Sequence, residues 1–307
     1  MYLAAPKTPA MADYIAPVLL IAFNRPAQTT RVFDQIKKAK PAQLFVAVDG
    51  PRNTQEAKTV EQVKAIFNID WECELHTLYR TQNLGCKLAV SSAITWFFEH
   101  TEQGIILEDD CLPNDDFFVF CSNMLKLYEK DVTVGHVSGF TLVEFDKQIQ
   151  QNHILISYSH IWGWATWKRV WDNYTTTPLK DYKFRFDLVP GNLNNKLLWY
   201  RNLLLTHKNK IDTWDFQNQY LNWVQGLKSV SPSDNLVVNI GFGDNSTHTK
   251  ASDQKFLLES HPLRNHHNIL LHSPALTQSI EDTITKKVFT RNPITNMIRF
   301  VYAVLTR

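Results

Sequence analysis

The chain has 307 residues, 44% hydrophobic and 20% charged, with a formal net charge of +2. That balance excludes a disordered chain and argues against general nucleic-acid binding, and the length is enough for one large core or two modest ones. The four cysteines, Cys73, Cys86, Cys111 and Cys121, form no C-x-x-C pair, which argues against a zinc site and a disulfide framework and fits a reducing cytoplasm.

Residues 1–13 are rich in Ala and Pro and read as a loose tail, without the basic-then-apolar pattern of a signal peptide. No run reaches the roughly 18 apolar residues of a membrane span. Val18–Phe23 is an apolar run that predicts a buried strand ending at Asn24-Arg25-Pro26. Pro26 suits the first turn of a helix, Asn24 is a candidate cap, and Val32, Phe33 and Ile36 recur at helical spacing. Leu44–Val48 predicts the second strand, closed by Asp49-Gly50-Pro51, and Asn53 with Glu56 has the form of a capping box opening the next helix. Glu74–Tyr79 predicts a third strand, followed by Arg80, Asn83, Gly85 and Lys87 and by a helix carrying Val90, Ile94, Phe97 and Phe98. Gly104–Leu107 is again apolar on both faces. The alternation of strands and helices with short links predicts a doubly wound, mostly parallel α/β sheet flanked by helices.

Beyond Lys130 the pattern changes. Val134–Phe140, Ile154–Ser159 and Val237–Ile240 are strand-like. Trp162–Trp171 reads as a loop running into a helix, its tryptophans either core or the wall of a sugar pocket. Leu193–His207 and Asp215–Trp223 are helical, with Asp212 or Thr213 as the cap of the second. Gly241–His248 is a polar, glycine-containing loop. The basic, partly amphipathic stretch 286–307 can either pack as a terminal helix or lie on an anionic membrane surface.

Glu108, Asp109 and Asp110 follow the fourth strand directly. Three adjacent carboxylates repel one another, so either they form a solvated turn or a cation neutralises them; hard oxygen ligands suit Mg²⁺ or Mn²⁺. Ligands of open α/β sheets bind at the carboxyl ends of strands. Four polar clusters stand just past such ends: Asn24 with Arg25, Asp49, Arg80 to Lys87, and Glu108 to Asp110. Together they predict a nucleotide site in which Arg25 and Lys87 offset phosphate charge and Asp49 accepts from a base or ribose. Taken singly, Asp49 is also a turn residue and Lys87 a surface charge. No G-x-x-x-x-G-K-[ST] and no G-x-G-x-x-G after the first strand is present, which disfavours P-loop enzymes and dinucleotide dehydrogenases.

This ordered set resembles the metal-dependent glycosyltransferases of the GT-A fold, and is most similar to bacterial nucleotide-diphospho-sugar transferases related to N-acetylglucosaminyltransferase I. The residues that carry the likeness are Leu20–Arg25, Val48-Asp49-Gly50, Asn83-Leu84-Gly85 and Glu108-Asp109-Asp110 with the Phe-Phe helix after it. Gly163-Trp164, Thr213-Trp214-Asp215 and the closing Gly-x-Gly-x-x-x-Thr-His248 complete it, over residues 16–250. The resemblance implies a GT-A, Rossmann-like main domain over 14–250 with a C-terminal extension over 251–307. It implies an inverting transfer from a nucleotide-diphosphate sugar, UDP-linked, to a hydroxyl of a glycan or lipid-linked acceptor, in polysaccharide biosynthesis. It assigns Asn24, Arg25, Asp49, Asn83, Lys87, Glu108, Asp109 and Trp164 to the nucleotide-sugar, Asp110 and His248 to Mn²⁺ or Mg²⁺, and Asp215 to general-base catalysis. The cysteine usage places such an enzyme in the cytoplasm, and the basic stretch 286–307 leaves open a peripheral contact with the inner membrane face. The alternatives are a carbohydrate-binding module using the tryptophans, and a sugar-phosphate nucleotidyltransferase. The second requires a Gly-rich loop where Phe23-Asn24-Arg25-Pro26 stands.

Overall fold

A computed structural model describes residues 14–146, 148–181, 183–241, 258–267, 269–271, 273–289 and 293–305. Its first half is β1 (Val18–Ala22), α1 (Pro26–Ala39), β2 (Gln43–Val48), α2 (Thr54–Lys64), β3 (Glu74–Tyr79), α3 (Gly85–Phe98) and β4 (Gln103–Glu108). Then come β5 (Cys111–Pro113), α4 (Asp116–Leu127), β6 (Val134–Ser138), β7 (His153–Ile156), β8 (Trp164–Trp167), α5 (Lys168–Trp171) and α6 (Pro178–Asp181). The chain continues through α7 (Leu193–His207), α8 (Asp215–Val224), β9 (Lys228–Pro232), β10 (Val237–Asn239), α9 (Pro274–Phe289) and α10 (Pro293–Leu305).

The main sheet has the order β3-β2-β1-β4-β8-β6-β9-β7, beside a two-stranded sheet of β10 and β5. β3, β2, β1 and β4 run parallel, β8 runs against both β4 and β6, β9 is parallel to β6, and β7 is antiparallel to β9. Only β8 and β7 therefore oppose the common direction, and the expected mostly parallel, Rossmann-like α/β sheet is present. Alternate residues of β1 feed opposite layers. Val18, Leu20 and Ala22 pack with Val32, Phe33 and Ile36 of α1, Val60 and Val63 of α2 and Phe117 and Phe118 of α4. Leu19 and Ile21 pack on Val90, Ile94 and Phe97 of α3. Both faces are covered, which is why these strands read as unbroken apolar runs.

A third core lies under β7, where Ile154 and Ile156 meet Trp199 and Leu203 of α7, Tyr220 and Trp223 of α8 and Ile280 and Ile284 of α9. The segment following residue 257 is tied to this body. Arg264 is ion-paired with Asp234 at 2.6 Å, the backbone N–H of Leu271 donates to the His153 carbonyl at 2.9 Å, and that of Ser157 donates to Glu281 at 2.6 Å. No helix among the described residues is long and apolar enough to cross a membrane.

Three local expectations change. Trp164–Trp167 is the strand β8 where a loop was expected, because it fills the gap between β4 and β6, and the expected helix follows it as α5. Trp164 faces the α3 layer, and Ala165 and Trp167 face the other. Asn24 does not cap α1: Arg25 holds the cap position, Pro26 supplies the first turn, and Asn24 instead donates to Glu56 at 3.2 Å. At α8 the cap position is Trp214, with neither Asp212 nor Thr213 in that role. The Asn53 cap of α2 forms as expected, its side chain accepting from the Glu56 backbone N–H at 3.0 Å.

Candidate active site

In the parallel ladder Ala22 lies opposite Val48, Val48 opposite Tyr79, and Ile21 opposite Glu108. That register places Phe23 to Arg25, Asp49, Arg80 and Glu108 to Asp110 along one edge, where carboxyl ends of strands meet the loops. The four clusters thus share an edge, as their positions after the strands predict. Two kinds of contact then divide them.

The first group is the acidic corner. Asp109 is 6% exposed and accepts from the Phe23 backbone N–H at 3.1 Å. One guanidinium nitrogen of Arg25 lies 2.8 Å from Asp110 and 3.3 Å from Asp109, bridging the two carboxylates. The Ile240 backbone N–H donates to the Asp110 carbonyl at 2.7 Å, and a Cβ on Gly241 would meet the Asp110 carboxylate. Gly241 is therefore required small, and the late polar loop departs from beside Asp110. His248 lies outside the described residues.

The electrostatics agree with this crowding. Burial, then the charges of Asp110, Asp109 and Asp215, push the Glu108 carboxyl up to about 8, with Arg25 opposing. Burial and Asp110 likewise raise Asp109. Burial and then Glu108, Asp215, Asp212 and Asp110 push the Cys86 thiol up, so it is no nucleophile. Asp215, 107 positions after Glu108 in sequence, is thus close enough to act on it. Asp215 opens α8; its Oδ1 accepts from the Thr213 hydroxyl at 2.5 Å and the Phe216 backbone N–H at 2.8 Å.

The second group holds a loop in shape. Asp49 accepts from the Asn83 side chain at 2.9 Å and from the Leu84 backbone N–H at 3.1 Å, and Asn83 also donates to the Gly50 carbonyl at 2.9 Å. Burial raises Asp49, with the Leu84 and Gly50 amides opposing. A free helix N-terminus at Gly85 would be a ready phosphate site. Here Asp212 fills it, accepting from the backbone N–H groups of Cys86 at 2.8 Å and Lys87 at 3.0 Å. Gly85 has φ +76°, and a side chain there would strike the Asp212 carboxylate.

Two expected ligand residues face elsewhere. The Lys87 ammonium donates to the Thr206 carbonyl at 3.4 Å and to Asn209 at 3.3 Å, at the end of α7, and Lys87 is only 7% exposed. It supports the Asp212 segment rather than the edge. Trp164 is 1% exposed and stacks on His136 at 4.9 Å and Trp214 at 5.5 Å, so it is core. Trp162 is half-buried against Phe140. Asp212 is a further residue that sequence reasoning placed elsewhere, at the start of α8. Its contact with α3 spans 126 positions, and no local signal announces it.

The donor set accommodates a divalent cation in one mode. Among the described residues no group of three or more His, Cys, Asp or Glu side chains is arranged to hold a metal. Mg²⁺-type ions, however, commonly take only one or two protein carboxylates, with phosphate and water completing the shell. Asp109 and Asp110 already share one cationic atom, that of Arg25, so the carboxylates such a mode needs converge at this corner.

The raised Glu108 carboxyl has a measurable consequence. In the unfolded chain it ionises near 4.5, whereas in the fold it stays protonated to about 8. Its contribution to stability is therefore full below pH 4.5 and is lost as pH rises through 8. Glu108→Gln, which cannot ionise, is expected to be more stable than the parent at pH 9, by up to about 5 kcal/mol for the full shift, and to unfold at a higher temperature. The gap should close towards pH 4.5, and thermal unfolding across that range, without added metal, checks it. A pH-independent difference would show that Glu108 is not desolvated.

No family model matches the sequence, and no curated protein matches it. Solved structures do resemble the fold at low identity. UDP-glucose pyrophosphorylase complexed with UDP-glucose matches with a TM-score of 0.39 and 7% identity, over 74% of this chain and 94% of that one. HddC from Yersinia pseudotuberculosis matches with 0.33 and 11%, over 58% and 87%. The apo structure of the bifunctional glycosyltransferase WbbM matches with 0.31 and 8%, over 71% and 38%. The architecture therefore rests on the strand order and register themselves: a parallel β3-β2-β1-β4 half whose carboxyl edge carries the acidic corner, Arg25 and Asp215.

Proposed function

We propose that this chain is a metal-dependent, inverting glycosyltransferase of GT-A type. It would move a sugar from a nucleotide-diphosphate sugar, UDP-linked, to a hydroxyl of a glycan or lipid-linked acceptor. What supports this reading is the meeting of a carboxylate pair that shares a cation with a second, separately held carboxylate, Asp215, across the carboxyl edge of the sheet. A module that only binds glycans needs neither.

The roles follow from the contacts. Asp110, with Asp109 beside it, would hold Mn²⁺ or Mg²⁺, with His248 as a further candidate ligand. When bound, the ion offsets the charge that grows on the departing diphosphate. Arg25 stands next to the same carboxylates and can turn its guanidinium to a phosphate oxygen. Asn24 and the Asp49–Asn83 pair shape the rim on which the nucleoside rests, and Glu108 borders the sugar or ribose. Lys87 and Trp164 act on the site through packing, consistent with their buried positions. Asp215, oriented by Thr213 and the Phe216 amide, accepts the proton of the acceptor hydroxyl as that oxygen attacks the anomeric carbon. The carbon–oxygen bond to the diphosphate breaks on the opposite side, which inverts the centre.

Calorimetry with a panel of nucleotide-diphosphate sugars, with and without Mn²⁺, tests the reading. Metal-dependent binding of a uridine diphosphate sugar is expected. Glycan binding that ignores nucleotide and metal would instead identify a carbohydrate-binding module. Release of pyrophosphate from a nucleoside triphosphate and a sugar phosphate would identify a nucleotidyltransferase.

A further inference from the structure

The last helix has two faces of opposite character. Asn296 and Ala303 are each 1% exposed and pack α10 onto α7; the Asn296 amide donates to the Asn194 carbonyl at 2.9 Å and Lys208 donates to the Ala303 carbonyl at 2.7 Å. On the other side Met297 is 44% exposed, Ile298 64%, Val301 44% and Leu305 73%. At about 100° per residue, Ile298, Val301 and Leu305 fall within roughly 60° of one another, nearly opposite Asn296 and Ala303. The apolar row is therefore a face that the described residues leave in solvent, on a helix already anchored behind.

Charge decides what this face suits. From residue 283 to 307 the sequence carries Lys286, Lys287, Arg291, Arg299 and Arg307 and no Asp or Glu. Lys286 and Arg299 are exposed. A second copy docked by two-fold symmetry would set this single-sign stretch against itself. An apolar row on a helix whose own charge is Arg299, about 100° round from Ile298, in a stretch without acids after residue 282, complements an anionic bilayer, whose headgroups take positive charge while the acyl boundary takes the row. The length fits as well: 13 residues make a helix of about 20 Å, short of the roughly 30 Å hydrocarbon core.

We propose that α10 is an in-plane anchor that seats the protein on anionic lipid through Ile298, Val301 and Leu305. The anchor is independent of the reaction proposed above. α7, on which it packs, ends at His207, five residues before Asp212 and eight before Asp215.

The test is co-sedimentation of the full chain with phosphatidylcholine vesicles, alone or with a quarter phosphatidylglycerol, at low and high salt. Binding to the mixed vesicles should exceed binding to neutral ones by at least about tenfold at low salt and fall as salt rises. Ile298→Glu combined with Leu305→Glu should abolish it while leaving the thermal midpoint and helix content unchanged, since both side chains are exposed. Arg299→Glu should weaken it severalfold. The proposal is overturned if the parent stays in the supernatant with every vesicle, if it binds neutral and anionic vesicles alike, or if the double variant sediments like the parent. A concentration-dependent dimer in the parent that the double variant dissolves, without vesicle binding, overturns it in favour of self-association.

Discussion

Asp110→Ala is expected to lower metal-dependent donor turnover by about 10³-fold or more while leaving the protein at least as stable as the parent. The loss follows from the proposed role. A divalent ion stabilises charge on a leaving diphosphate by several kcal/mol, and each 1.36 kcal/mol is a factor of ten. The stability follows from the contacts. The charge of Asp110 is the second cause, after burial, that pushes Glu108 and Asp109 up, so its removal relieves two neighbours. Arg25 keeps Asp109 as a partner at 3.3 Å, and the bond from Ile240 ends on the Asp110 main-chain oxygen, which alanine retains. Steady-state turnover with added Mn²⁺, beside thermal unfolding at neutral pH, separates the two effects. Turnover within a few fold of the parent would take Asp110 out of the site. Lost turnover with a collapsed midpoint would mean that the corner is structural.

The reach of sequence reasoning is visible in that same corner. β1, β2 and β4 are legible because both faces of each strand are buried, and a doubly covered strand has to be apolar throughout. Once those strands are placed, their carboxyl ends must share an edge, so the convergence of Arg25, Asp49 and Glu108 to Asp110 is legible too. β8 is not. Trp164-Ala165-Thr166-Trp167 has no apolar run, and it becomes a strand only because β4 and β6 leave an antiparallel slot that it fills. The fate of Lys87 is hidden for a related reason. Local sequence shows a cation after a strand, whereas its partners, Thr206 and Asn209, lie more than a hundred residues downstream. Asp212 is readable as a helix cap, and it is one, but of α3 and not of the helix that follows it. Propensity identifies the type of interaction, and tertiary packing chooses the address.

Asp215→Asn carries the other large effect, and it decides between two roles that an acid at the start of a helix can play. A negative charge there is stabilising through the helix dipole by about 0.3–1 kcal/mol, which would account for Asp215 with no chemistry at all. In the dipole role, asparagine should cost a little stability and leave transfer intact. In the general-base role, transfer should fall by about 10²–10⁴ while donor affinity stays within about threefold, because on the function proposed above the donor would be bound through a metal ion at 109 and 110, apart from Asp215. Asparagine can still accept from the Thr213 hydroxyl and the Phe216 amide, so the side chain should keep its orientation and lose only its basicity. The charge of Asp215 also works against Glu108. Removing it relieves that repulsion, which offsets the dipole loss and leaves the thermal midpoint near that of the parent. Measuring kcat, donor affinity by calorimetry and the midpoint on one preparation distinguishes the roles. Full transfer by the variant would return Asp215 to a purely structural part. A fall in kcat alone would place the proton acceptor of the reaction at the amino end of α8, beside the acidic corner at Glu108.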